Sequence, residues 1–391
     1  MLIFIKVANN FNVIDNRSRN FVFLSQDNFL DLSNPLLINL SVLFDKPTGI
    51  ATYAQNVIRG LSNLNPTLLS SIDLGNFEHY TIADNMTPKQ GSKGHFRRLL
   101  WTQFQLPKIY KKLAANLIYS PIPEAPLFGR CRYVVMCHDL IPLRFPRVTS
   151  PLTNYFRYVV PQVLKQAEHI ICNSQATAKD ITDFYGIKSN KITPILLGYD
   201  TNNFYPQKEN DFSLPRPYFL YLGRQDTYKN LEGLIDAFAA LKNNDYLLAI
   251  AGSKDSRFTP KLQQQIKELK IEEKVVFLDY LSYEELPKII SNAIALVFPT
   301  LWEGFGLPVL EAMACGTPVI TSNLASLPEI TSDAAISIDP YNNAAITSAM
   351  TDLVENEQMR SHLSNLGLQQ AKKFSWDKTG KATKEVLQKY L

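Results

Sequence analysis

From Leu36 to the end of the chain, short apolar runs alternate with segments of helical period. The first runs are LLINLSVLF (36–44), NLIYS (116–120), RYVVMCHDL (132–140), EHIICN (168–173) and KITPIL (191–196). Each is rich in Val, Ile, Leu or Tyr, as expected of strands covered on both faces. In 49–64, Ile50, Tyr53, Ala54, Val57, Ile58 and Leu61 recur at three- and four-residue steps and give a helix one apolar face. Residues from about 200 to 217 are polar and rich in Pro and Asn, and read as a linker. A second series follows. Its strands are YFLYLG (218–223), YLLAIAG (246–252), KVVFLDY (274–280), IALVFP (294–299), PVITS (318–322) and AISI (335–338). Its helices are Asn230–Leu241, Lys261–Lys270, one opened by Ser282 and Glu285 at capping-box spacing, and one ending at Gly316. A last helix begins near Trp376.

Strands alternating with helices, twice over, predict an α/β chain with two parallel sheets. The expected architecture is two Rossmann-like domains, 36–204 and 205–375, facing each other across a cleft, with 376–391 as a closing helix. Ligands of such sheets bind outside the carboxyl ends of the strands. A length of 391 residues suits two domains.

The first 35 residues break the pattern. Asn fills seven of the first 34 positions, and no period emerges beyond FVFL (21–24). Residues 1–35 are expected to be an appendage, possessed by the native protein or created by a start placed too far upstream; the alternative is an ordinary extra strand. The chain is 46% apolar and 19% charged, which fits packed cores and excludes overall disorder. A net charge of +4 is too small for a nucleic-acid binder. It is also a sum of opposites. Residues 1–204 hold 21 Lys and Arg against 13 Asp and Glu, and residues 205–391 hold 19 against 23. Cys131, Cys137, Cys172 and Cys315 form no CxxC pair, so a disulfide scaffold is excluded and a reduced cytoplasmic protein expected. No apolar run reaches the ~18 residues of a membrane span, and Lys6 interrupts the opening MLIFI before it resembles a signal peptide.

The most informative stretch is PTLWEGFGLPVLEAMACGTPVI (299–320), which follows a strand and opens a helix. Gly304 and Gly306 let the backbone bend and approach a ligand. Amides at the helix start suit an anion or sugar hydroxyls, and Pro308 fits the first turn. Glu303 precedes the helix and Glu311 lies about one turn inside it, so two carboxylates are expected to face one pocket. The spacing alone arises by chance; with EGFGLP inside and ACGTPV behind, it is specific. The other reading is a Gly-rich turn with two solvated acids. In YLGRQDTYKNLEGLIDAF (221–238), the strand ends at Gly223, and Arg224 and Lys229 bracket the turn into a helix. A helix start disfavours cations, so they read as diphosphate ligands, Arg224 as a fork and Lys229 as a point charge, rather than as two surface cations. They would stabilise charge on a departing nucleoside diphosphate. PTGIATY (47–53) carries one glycine, Gly49, and reads equally as a donor contact or a plain tight turn. In VMCHDLIPLRFP (135–146), His138 and Asp139 close a strand; such a histidine is either catalytic or structural. No Asp-x-Asp exists in the chain, and only Glu209–Asn210–Asp211 comes near, so a metal clamp is not expected.

On these residues the chain resembles the retaining glycosyltransferases of family four (group 1), which have the GT-B fold. The resemblance runs from about Leu36 to the C-terminus and includes NSQATAKDI (173–181) and GYDTNNFYP (198–206). It implies a nucleotide-sugar donor site in the second domain. There Glu311 would hold the ribose hydroxyls and Glu303 the transferred sugar. Backbone of Gly304, Phe305, Gly306 and Leu307 would contact sugar and phosphate. Arg224 and Lys229, beside Gly223, would bind the diphosphate; Gly49 would approach it from the other domain, and His138 would sit near the anomeric centre. It further implies retention without metal or cofactor, by same-face attack assisted by the leaving phosphate, and a last helix that crosses back to the first domain. HDLIPLRFP looks like the mannosyltransferase-like branch of polysaccharide and O-antigen assembly, often using GDP-mannose; a UDP-sugar is the other donor considered. Departures are the N-terminal segment and the single glycine of PTGIATY. Rival readings are another GT-B enzyme, such as a sucrose or sucrose-phosphate synthase or a nucleotide-sugar epimerase, and a nucleotide-sugar-binding protein without turnover.

Acidic residues vanish between Asn85 and Pro123. There Lys89, Lys93, Arg97, Arg98, Lys108, Lys111 and Lys112 interleave with Phe96, Leu99, Leu100, Trp101, Phe104, Leu106, Ile109 and Tyr110. Residues 89–112 read as a surface for anionic lipid, with a glycan or lipid-linked acceptor at the inner face of the plasma membrane, or as a solvated helix whose aromatics enter the core.

Overall fold

A computed structural model describes residues 36–44, 49–147, 150–207, 211–242, 245–279 and 281–391. The expected appendage, 1–35, lies outside the described residues, as do Pro47, Thr48, Glu209 and Asn210.

The first sheet holds β1 (Leu36–Asn39), β2 (Thr67–Ser70), β3 (Glu78–Thr81), β4 (Leu117–Ser120), β5 (Tyr133–Cys137), β6 (His169–Cys172) and β7 (Ile192–Pro194). Their order is β3-β2-β1-β4-β5-β6-β7, with every pair parallel. The second holds β8 (Tyr218–Leu222), β9 (Leu247–Ala251), β10 (Val275–Leu278), β11 (Ala295–Phe298), β12 (Val319–Ser322) and β13 (Ile336–Ile338). Its order is β10-β9-β8-β11-β12-β13, again all parallel. This is the predicted pair of Rossmann-like sheets. Central strands such as β5, β9 and β11 are buried along their whole length, which is why they read as unbroken apolar runs.

Three local results differ from the sequence reading. LLINLSVLF is not a nine-residue strand. The ladder stops near Asn39, whose Oδ1 accepts from Ser41 N (3.2 Å) and Ser41 Oγ (2.8 Å), and Leu43 N then turns back to Leu40 O. β2 and β3 had no counterpart in the reading: each has four residues, and the edge strand β3, EHYT, is half-exposed and polar. Nor is 198–207 a free tether. Phe204 is buried, and Asn203 Nδ2 donates to Tyr283 O (2.9 Å).

The helix Trp376–Gln388 packs on α1 (Gly49–Gly60) of the first domain. The two cross at a pair of glycines: a Cβ on Gly60 would lie 2.6 Å from Gly380 Cα. Thr379 Oγ1 donates to Leu196 O (2.8 Å), and a Cβ on Gly198 would lie 2.1 Å from Trp376 N. The chain's two passages between domains therefore touch.

The basic stretch forms α2 (Gly91–Phe104) and α3 (Leu106–Lys112). In α3, Leu106 and Ile109 enter the core as an ordinary amphipathic helix would. In α2 the apolar residues are divided. Gly94, Arg98 and Thr102 point inward and Leu99 and Trp101 pack partly against the core, while Phe96 (61% exposed), Leu100 (44%) and Phe104 (58%) stand outward with Lys93 and Arg97. Arg98 is thus no surface cation: it is buried and forks Glu124, Nε to Oε2 at 2.7 Å and Nη2 to Oε1 at 2.8 Å. Among the described residues no helix is long and apolar enough to cross a membrane.

Candidate active site

In the second sheet, strand order reverses between β8 and β11, and ligands of such sheets bind at that point, beyond the strand ends. Gly223 directly follows β8, and its φ of +148° favours glycine. A Cβ on Gly252, at the end of β9, would lie 2.2 Å from Gly223 O, so the loop starts are tightly stacked. The turn Thr227–Lys229 follows. Tyr228 O accepts from Leu301 N (2.7 Å) and Thr300 Oγ1 (3.1 Å), which ties the two loops together. The result is that Lys229 Nζ donates to Glu303 Oε1, with both side chains largely buried. The ammonium also lies 5.1 Å from the Phe298 ring centre and 5.3 Å from that of Tyr228.

The EGFGLP turn is held by Ser326 Oγ, which reaches Glu303 O (3.1 Å) and Phe305 O (2.5 Å). Gly306 has φ +119°, and the helix Leu307–Ala314 starts after it. Gly304 is required for a reason the sequence did not suggest. A Cβ there would lie 2.2 Å from His138 O and 2.9 Å from Asp139 Cβ, so the other domain fills the space expected for a ligand. Gly304 O accepts from Ser174 Oγ (2.7 Å) and Thr177 Oγ1 (3.3 Å). The Phe305 side chain is buried core, edge-on to Phe374. Glu311 is half-buried, and no described cation or donor pairs with its carboxylate. Desolvation raises it to about 7. Its electrostatic neighbours are Tyr283 and Cys315. Glu303 instead is paired with Lys229, so the two carboxylates have different surroundings.

On the first domain, His138 and Asp139 follow β5. His138 Nε2 donates to Pro121 O (2.9 Å), and a carbonyl only accepts, so Nε2 carries the proton and Nδ1 a lone pair. Its ring stands edge-on to Tyr53 (4.9 Å). Burial lowers it to about 4, leaving it neutral at physiological pH. Asp139 Oδ1 accepts from Ile141 N (3.0 Å). Burial raises its carboxyl to about 6; the Glu303 charge adds to this, and Lys229 and Arg224 oppose it. Asp139 belongs with the site, although the sequence pattern assigns it no role of its own. The signal was its place beside His138 at a strand end.

Arg224 is 73% exposed and turned onto Asp226 (2.5 Å). Gly49 opens α1, and a Cβ there would meet nothing within 4 Å, so packing does not demand glycine. The structure thus joins Lys229, Glu303, Gly304, His138 and Asp139, with Arg224 at the rim. It leaves Glu311 one helical turn on, and among the described residues nothing lies within 4 Å of where a Cβ on Gly49 would stand.

Further contacts close the cleft. The Glu329 carboxylate accepts from Gln175 N and Ala176 N (2.8 Å each), at the start of the helix Gln175–Tyr185. Arg144 donates to Asp180 Oδ2 (2.9 Å) and covers the Trp302 ring at 3.3 Å. Phe145 stacks on Tyr228 at 5.6 Å.

Residues 47–203 match the family described as Glycosyltransferase Family 4, and 206–370 match Glycosyl transferases group 1. The O-antigen chain mannosyltransferase RfbU of Salmonella typhimurium is 26% identical over 341 residues, 84% of this chain and 94% of that one. O-antigen chain mannosyltransferase B of Escherichia coli is 36% identical over 259 residues, 63% of this chain and 67% of that one. HepE of Anabaena, solved in complex with UDP and glucose, has the same fold: TM-score 0.71 at 18% identity, covering 91% of this chain and 99% of that one. The two sheets, their joined strand ends and these likenesses place the chain in the group 1, family 4 glycosyltransferases, with the GT-B fold.

Proposed function

We propose that this glycosyltransferase moves a hexose, mannose by our reading, from a nucleoside diphosphate sugar to a glycan or lipid-linked acceptor, with retention and without a metal. The carrying observation is the buried Lys229–Glu303 pair at the ends of β8 and β11, pressed against His138 and Asp139 of the other domain. Lys229 and Arg224 supply positive charge where a diphosphate would depart, in a site partly shielded from water. Glu303 and the turn amides suit sugar hydroxyls. Glu311 offers an unpaired carboxyl group to vicinal hydroxyls such as those of a ribose. His138 is neutral, so it orients by its Nδ1 lone pair rather than acting as an acid. Same-face attack needs no protein nucleophile: the acceptor proton passes to the leaving phosphate oxygen, and the chain contributes position and charge. The mannose assignment draws on the two mannosyltransferase relatives and the HDLIPLRFP segment. A thermal-shift panel of GDP-, UDP- and ADP-sugars tests it, because a ligand of the native state raises stability with concentration. Stabilisation by GDP-mannose and mannosyl transfer from it are expected. A response confined to UDP- or ADP-sugars refutes the donor.

The outward face of α2 supports an anionic membrane as the place of work. Three exposed large apolar side chains on one helix face would leave water there, and Lys93 and Arg97 beside them suit anionic headgroups.

A further inference from the structure

Asp226 lies two residues past Arg224 in the turn after β8, and its side chain is only 4% exposed. Its carboxylate holds two arginines. Oδ2 takes Arg224 Nη2 at 2.5 Å, and Oδ1 takes Arg147 Nη2 at 3.0 Å. Arg147 comes from the other domain, in the segment after β5. It is fixed there by Arg147 N donating to Thr153 Oγ1 (3.3 Å), and its guanidinium lies 5.1 Å from the Phe258 ring centre. Arg257 faces the same ring but is engaged by Asp255 (2.9 Å). Both arginines that reach Asp226 are open to solvent, Arg147 at 46% and Arg224 at 73%, whereas the carboxylate is not. A carboxylate so buried cannot give up its last cation cheaply.

We propose that Asp226 is a positioning residue that releases Arg224 to the donor diphosphate once Arg147 has engaged it. This rests on the donor-site reading above. While Arg147 holds Oδ1, Arg224 can leave Oδ2 for the diphosphate and the buried charge stays paired. When the domains part, Arg147 withdraws and Asp226 retains Arg224. One carboxylate thereby links closure of the cleft to the grip on the leaving group.

The test is calorimetric titration of GDP and of UDP into the full chain, with melting temperatures recorded alongside. Arg147→Ala should weaken the bound diphosphate roughly 10-fold, since Asp226 then withholds Arg224. Arg147→Lys keeps the charge and should bind within about 3-fold of wild type. Adding Asp226→Asn to Arg147→Ala should restore affinity, because nothing then restrains Arg224. A purely structural pair predicts the opposite, a double variant no better than Arg147→Ala. Unchanged binding in Arg147→Ala, or no rescue in the double variant, overturns the proposal. Lys229→Ala separates the two levels. If it loses binding while Arg147→Ala does not, only the Asp226 proposal fails. If it binds normally, or if neither diphosphate binds the wild-type chain, the donor-site reading fails and the proposal with it.

Discussion

Gly304→Ala probes how closely the two domains must approach. The added methyl would lie 2.2 Å from His138 O and 2.9 Å from Asp139 Cβ. Ordinary contacts of this kind begin near ~3.5 Å, so about 1 Å of relief is needed. Neither side yields easily. His138 is anchored through Nε2 to Pro121 and follows a fully buried strand. The turn opposite is pinned at Glu303 O and Phe305 O by Ser326. Relief therefore comes from parting of the domains, which strains the Ser174 bond to Gly304 O and the Glu329 bonds to Gln175 and Ala176. A misplacement of about 1 Å between reacting groups costs on the order of 100-fold in rate. The added methyl removes no buried apolar side chain, so the melting temperature should move by only about 3 °C or less. The assay is steady-state sugar transfer, with kcat and KM resolved for the donor that the thermal-shift panel identifies. A kcat/KM within about 3-fold of wild type would refute the reasoning, because the packed Gly304–His138 contact would then be absent from the working enzyme.

Lys229→Ala and Glu303→Ala should each lower kcat/KM by roughly 100-fold or more, since each removes charge from the reacting centre and leaves its partner buried alone; near-normal transfer in both would sink the site assignment. Glu311→Gln should flatten part of the pH dependence of stability. The folded protein keeps a proton on Glu311 up to about 7, whereas the unfolded chain releases it near 4.5, so wild type loses stability as pH rises through that window. His138 acts in the opposite sense between about 4 and 6.5, so the difference in melting temperature between wild type and Glu311→Gln, scanned from pH 4.5 to 8, is the readout; a difference independent of pH refutes it. Phe96→Ser with Phe104→Ser should abolish co-sedimentation with anionic vesicles. Equal pelleting of wild type with anionic and neutral vesicles would remove the membrane reading.

The sequence exposed what depends on local order. Fully buried strands read as apolar runs, and EGFGLP announced a strand-to-helix turn because its glycines and proline fit few other conformations. It concealed what depends on distant pairing. Lys229 and Glu303 are 74 residues apart, and only the adjacency of β8 and β11 joins them. Gly304 carried the expected residue type for an unexpected reason, a neighbour from the other domain. In α2 the helical period was legible but its facing was not. Arg98 turns inward because Glu124, 26 residues away, takes its charge, and the phenylalanines are left outside. Short polar edges such as β3 carry no periodic signal at all.

Gly198 and Trp376 mark the two places where the chain passes between domains, and they touch. Any motion between the domains would turn about that shared point. The Trp376–Gln388 helix also grips the first domain through the glycine crossing at Gly60 and Gly380 and the bond from Thr379 to Leu196. These contacts make that helix a clasp on the first domain as much as the last element of the second.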